Sequence, residues 1–183
     1  MSPRNNAVQI QGYLFSPADH LFFDANIWLL LYAPQDPTDW RITVYSRALA
    51  QAMTANSPIY VDVLVISEYI NRHARLEHKL LSGDGRASAD FKSFRNSVNF
   101  QPIAETIAIA VRKILIVSSR VESGFSSFDI QKALSEYEDG GVDFNDQMIT
   151  GLCLAKNFKL VTHDADFRGH GLNILTANPR LLG

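Results

Sequence analysis

The chain is poor in cysteine: Cys153 is the only one in 183 residues. A single thiol closes no internal disulfide, and no Cys/His spacing of a metal site is present. Cys153 falls among Ile149, Leu152 and Leu154, which predicts a small core residue rather than a nucleophile. Long apolar runs are also missing. Runs such as LFF before Asp24 and IWLLLY after Asn26 are too short to span a bilayer. The N-terminus lacks a charged region followed by an apolar stretch and a small-residue cleavage site, so no signal peptide is expected. These absences predict a cytoplasmic chain with no membrane partner. A strong charge of one sign is lacking too. The formal net charge is −2, so nucleic-acid binding would need a local basic patch. Internal repeats and low-complexity segments are absent.

What is present is ordinary globular composition, 46% hydrophobic and 20% charged. The length suits one domain over residues 1–183, with a core at about 21–177 and extra helical material at about 82–125. A short strand is expected at Gly12–Phe15. The run Leu21–Asp24 has no alternation, as in a parallel strand covered on both faces. Ala25–Ala33 reads as a short buried helix stopped by Pro34. Thr38–Ala55 reads as an amphipathic helix with Trp40, Val44, Ala48, Leu49 and Ala52 on its apolar face. Pro58–Val63 is a second strand candidate, and a helix from Leu64 to Leu80 follows it. Ser82–Ser88 is turn-rich. Ile103, Ile107, Val111 and Leu115 form a helical stripe over Ile103–Val117. Further helices are expected at Phe128–Tyr137 and Val142–Asn157. Lys159–Thr162 and Asn173–Thr176 complete the strands, with a turn or short helix at Asp164–Phe167. This order predicts an α/β domain on a mostly parallel sheet.

The chemistry lies in the acids. Asp24 ends a strand and precedes a helix, the place where ligands bind in open parallel sheets. The bland alternative is that Asp24 or Asn26 caps that helix. Glu68 lies among Val63, Ile66 and Ile70, where an unpaired carboxylate is costly; the alternative is an i,i+4 pair with Arg72. Asp143 fits an N-cap, and Asp146 shares a helix face with Ile149 and Thr150. Asp164 and Asp166 follow a strand, and the alternative is a polar turn. Carboxylates in one pocket repel without cations, and hard divalent ions with oxygen ligands relieve that repulsion. Such a site suits phosphodiester hydrolysis. Arg72, His73, Arg75 and Lys79 follow Glu68 on one helix, with Arg86 in the next loop. They are the candidates for holding substrate phosphates, and the alternative is a solvated helix face.

The segments FFDANIWLLLY, VISEYINRH and DFNDQMITGLCLAKNFKLVTHDADF, in that order, resemble the PIN-domain ribonucleases. The resemblance covers roughly Leu21 to Ala177 and is poorest in the middle helical stretch. It implies a Rossmann-like three-layer α/β/α sandwich and cleavage of single-stranded RNA. By resemblance, Asp24, Glu68, Asp146 and Asp164 match the metal-binding and catalytic acids, with magnesium or manganese as the ion. Asp166 matches a further acid, and Asn26 and Thr162 match supporting polar positions beside Asp143. Many small bacterial members are toxins neutralised by a cognate antitoxin, so an antitoxin and a homodimer are expected partners. Two rival readings differ in class. An aspartyl-nucleophile phosphatase wants a second aspartate two residues after the first, where this chain has Asn26. A catalytically degenerate RNA-binding or scaffold module would be expected to lose acids that this chain keeps.

Overall fold

The structure is a computed structural model that describes residues 6–85, 90–140 and 143–182. Six parallel strands form its sheet: β1 (Asn6–Gln9), β2 (Leu21–Phe23), β3 (Ile59–Val61), β4 (Ser119–Arg120), β5 (Lys159–Val161) and β6 (Asn173–Thr176). Their spatial order is β1-β6-β5-β2-β3-β4, and each adjacent pair is parallel. The helices are α1 (Ala25–Tyr32), α2 (Trp40–Thr54), α3 (Val63–Gly83), α4 (Phe91–Arg95), α5 (Gln101–Val117), α6 (Ile130–Glu138), α7 (Phe144–Lys156) and α8 (Pro179–Leu182).

β2 and β5 are central and apolar; Leu21, Phe22, Phe23, Leu160 and Val161 have essentially no exposed surface. From β2 the chain steps outward to β3 and β4, then returns to β5 on the other side of β2. Right-handed crossovers therefore put α1 to α5 on one face and α6 and α7 on the other. The packing agrees: α1 meets α2 and α3, α3 meets α5, and α6 meets α7. This is the expected α/β/α sandwich. The reversal of direction between β2 and β5 opens a crevice beyond their carboxyl ends.

Several expectations are corrected. Gly12–Phe15 is a turn followed by irregular chain, and the first strand is instead Asn6–Gln9, paired with β6. β4 was not expected at all. Within the 82–125 region, α5 contributes Ile107, Ala110 and Ile114 to the core. The buried stripe is Ile107, Ala110 and Ile114, while Leu115 is exposed. A helix turns once per 3.6 residues, so an every-fourth stripe drifts off its face within three turns. Trp40, the first residue of α2, is 53% exposed; Tyr45, Ala48, Leu49 and Ala52 carry the buried face. Cys153 is buried in the core as expected, and burial pushes its thiol pKa up. No described helix is long and apolar enough to cross a membrane.

Candidate active site

Phe23 pairs with Val161, so Asp24 and Thr162 leave the sheet side by side. Asp24 occupies the N-cap position of α1 but makes no side-chain cap hydrogen bond. Its carboxylate turns to the neighbouring strand instead. Thr162 Oγ1 donates to Asp24 Oδ2 at 2.7 Å, and Asn26 Nδ2 donates to the same oxygen. Asn26 also donates to Thr162 Oγ1 at 3.0 Å and accepts from the His163 amide at 3.2 Å. The Asp164 amide donates to Thr162 Oγ1 at 3.0 Å. Asn26 and Thr162 thus lock the carboxyl ends of β2 and β5 together around one buried acid.

Glu68 and Asp146 arrive from opposite faces of the sheet, on α3 and α7. Their arrival is electrostatic rather than by direct bonding. Burial, joined by the charges of Glu68 and Asp164, raises the Asp24 pKa to about 7, against the Thr162 hydrogen bond. Burial likewise raises Asp146 to about 7, helped by Asp24, Asp143, Asp164 and Glu68. Each of the four expected acids therefore feels or exerts the field of the others. Among the described residues, Asp24, Asp146 and Asp164 have no ion-pair partner. Glu68 does pair with Arg72, at 2.8 Å. No three His, Cys, Asp or Glu side chains among the described residues form a ready-made cation cage.

Two acids take lesser places. Asp143 caps α7, accepting from the Asn145 amide at 2.8 Å, and lends its charge to Asp146. Asp166 is exposed on the short turn after Asp164 and is not among the charges that raise Asp24 or Asp146. One buried acid at the carboxyl end of the sheet was overlooked in the sequence. Asp62, past the carboxyl end of β3, caps α3 through the Val65 amide at 2.9 Å, and burial raises its pKa. Its position just after a strand was the available signal.

A groove of about 570 Å³ runs from Asn26 and Asp164 along α3, and Arg41, Arg72, Arg75, Lys79 and His163 line it. Three of the expected basic residues, Arg72, Arg75 and Lys79, thus face one groove with Asp164. Arg75 also lies 4.6 Å from the centre of the Phe91 ring. His73 is the correction: it is fully buried, held by the Tyr69 hydroxyl at 3.0 Å, and cannot meet an outside phosphate. It falls on the core face because positions 69 and 73 lie one helical turn apart, beneath the basic stripe. Arg86 lies outside the described residues. Arg41 and His163 were missed, since neither stands out within its segment. Both are fixed: the Arg41 guanidinium donates to both carboxylate oxygens of Asp39, and Tyr45 Oη lies 2.9 Å from His163 Nδ1.

Ionising Asp24 and Asp146 at neutral pH costs free energy unless positive charge enters, and an all-oxygen donor set suits a hard divalent ion that keeps much of its water. Comparison with curated proteins finds no match. Among solved structures, the VapBC2 complex from Rickettsia felis, crystallised bound to a DNA fragment from its promoter, contains a chain of similar fold. The TM-score is 0.50 at 16% identity, over 87% of this chain and 98% of that one. The PIN-domain model matches residues 21–171, from the first central strand past the acids that follow β5, and by that match the chain belongs to the PIN-domain family.

Proposed function

We propose that this PIN-domain protein is a metal-dependent endoribonuclease that hydrolyses phosphodiester bonds of single-stranded RNA. The carrying observation is that burial, joined by the mutual field of Asp24, Glu68, Asp146 and Asp164 at the crevice between β2 and β5, raises Asp24 and Asp146 to about 7. Asp24, Glu68, Asp146 and Asp164 would hold magnesium or manganese. The bound metal supplies charge neutralisation and Lewis acidity for attack on phosphorus. Thr162 and Asn26 orient Asp24 and hold it as an acceptor. Arg72, Arg75 and Lys79 align the RNA backbone along the groove. Asp166, on the exposed turn, is assigned an outer role at the site edge. The fold likeness to a VapBC2 chain supports a toxin role with a cognate antitoxin covering the groove.

Asp24→Asn and Asp146→Asn should each abolish magnesium-dependent cleavage of a labelled RNA while keeping the circular dichroism of the wild type. The same assay on p-nitrophenyl phosphate should show no turnover. Wild-type RNA left intact at millimolar magnesium and manganese would favour the degenerate scaffold reading. Phosphate-ester turnover would favour the aspartyl-nucleophile one. Expression of the chain alone should arrest bacterial growth, and the Asp24→Asn chain should not; growth unaffected by an active enzyme would remove the toxin assignment.

A further inference from the structure

We infer that Trp40 is a stacking platform for an unpaired base of the strand whose phosphates occupy the groove; the inference rests on the nuclease reading above. An indole that is 53% exposed is unusual, since Trp carries a large apolar surface that folding normally covers. The chain has two tryptophans, and the other, Trp28, is fully buried. Trp40 is not a loose side chain on a loop. It opens α2, whose N-cap Asp39 accepts from the Arg41 amide. Its ring meets the His163 ring edge-on, with centroids 5.9 Å apart and planes at 71°.

His163 is itself held on three sides. Tyr45 Oη lies 2.9 Å from its Nδ1, Asn26 accepts from its amide, and Asn178 donates to its carbonyl at 2.7 Å. The indole is therefore braced by a residue that lines the groove and directly precedes Asp164. The basic face of α3 lines the same groove as His163. A duplex offers its phosphates but keeps its bases stacked on each other. A single strand lying along Arg72, Arg75 and Lys79 can turn a base onto Trp40 with the neighbouring phosphodiester beside the acids. Stacking is indifferent to base identity, because every base has a π-face, so Trp40 selects unpaired strands rather than a sequence.

The test follows Trp40 fluorescence in EDTA, where a metal-dependent enzyme leaves the strand whole. Titration with a short single-stranded RNA should quench the wild type. The duplex of that RNA and a fully abasic strand of equal length should not, although the abasic strand keeps every phosphate. Trp40→Ala should raise the Kd for the RNA by roughly tenfold, and Trp40→Phe should recover most of it. Wild type and Trp40→Ala should bind the abasic strand alike, which a merely structural effect of the substitution would not produce. In magnesium, the RNA cleavage defect of Trp40→Ala should appear in KM. Equal Kd and KM in wild type and Trp40→Ala, with RNA still cut, would overturn the platform and leave the nuclease standing. A wild type that neither binds nor cuts RNA would sink both.

Discussion

Thr162 has no exposed surface, yet its hydroxyl serves three partners. It donates to Asp24 and accepts from the Asn26 side chain and the Asp164 amide, which uses its full hydrogen-bonding capacity. Thr162→Val keeps the shape but takes one of two side-chain donors from a buried carboxylate and leaves the Asp164 amide without its acceptor. It should cost about 1–3 kcal/mol in urea unfolding, the usual penalty for an unpaired buried group. Because this hydroxyl pulls the Asp24 pKa down against burial, its loss should also move the acid limb of the pH–rate profile upward. An unchanged profile with unchanged stability would show that Thr162 neither orients nor tunes Asp24. Such support was legible in the sequence as far as the residue names, because Asn26 and Thr162 flank acids at strand ends. The placement of Trp40 and His73 was not. Both sit in amphipathic helices, and their exposure depends on where the helix ends relative to the sheet and on one turn of rotation.

α3 carries two faces with different tasks, and they separate by mutation. Its inner face buries Val65, Tyr69, His73 and Ala74, while Arg72, Arg75 and Lys79 point to the groove. Arg75→Gln with Lys79→Gln should weaken RNA binding and flatten its dependence on salt, by roughly 0.7 in log–log slope for each phosphate of a single strand that is no longer neutralised. His73→Leu should leave that slope unchanged; an altered slope would put His73 against the RNA after all. The elements themselves were readable to different degrees for a physical reason. α3 and α7 have long patterns of apolar spacing, and their observed ends fall within a few residues of the expected ones. β1 and β4 read as NAVQ and SR, edge strands whose residues are largely exposed. They are held mainly by backbone pairing to β6 and β3, which leaves almost no mark on the side-chain pattern.

Across the whole molecule the two ends of the sheet treat acids in opposite ways. At the amino end, Asp19 is nearly buried, which alone would raise its pKa, but Lys159, Tyr13 and Ser16 hold it at about 2. A depressed carboxyl contributes stability above its unfolded pKa, and that contribution is lost as pH falls from about 4 toward 2. At the carboxyl end, Asp24 and Asp146 are raised to about 7, and the sign reverses. Without metal, the unfolded chain gives up these protons near its ordinary carboxyl pKa while the folded chain retains them, so stability falls as pH rises from about 4 through 7. His73 and His163 are both held below their usual pKa, chiefly by burial, and so lose stability as pH falls below about 6.5. The single variant Asp24→Asn isolates the acid contribution from theirs. In EDTA, its melting temperature relative to wild type should rise steadily between about pH 4 and pH 7.5. Millimolar magnesium should stabilise the wild type at neutral pH, because a ligand that binds only the folded chain shifts the equilibrium toward it. The gain should shrink as pH drops through about 7, where protons compete for Asp24 and Asp146, and it should be smaller in Asp24→Asn. Wild-type and variant curves that stay parallel at every pH, with no response to metal, would mean that the four acids do not act as one charged cluster.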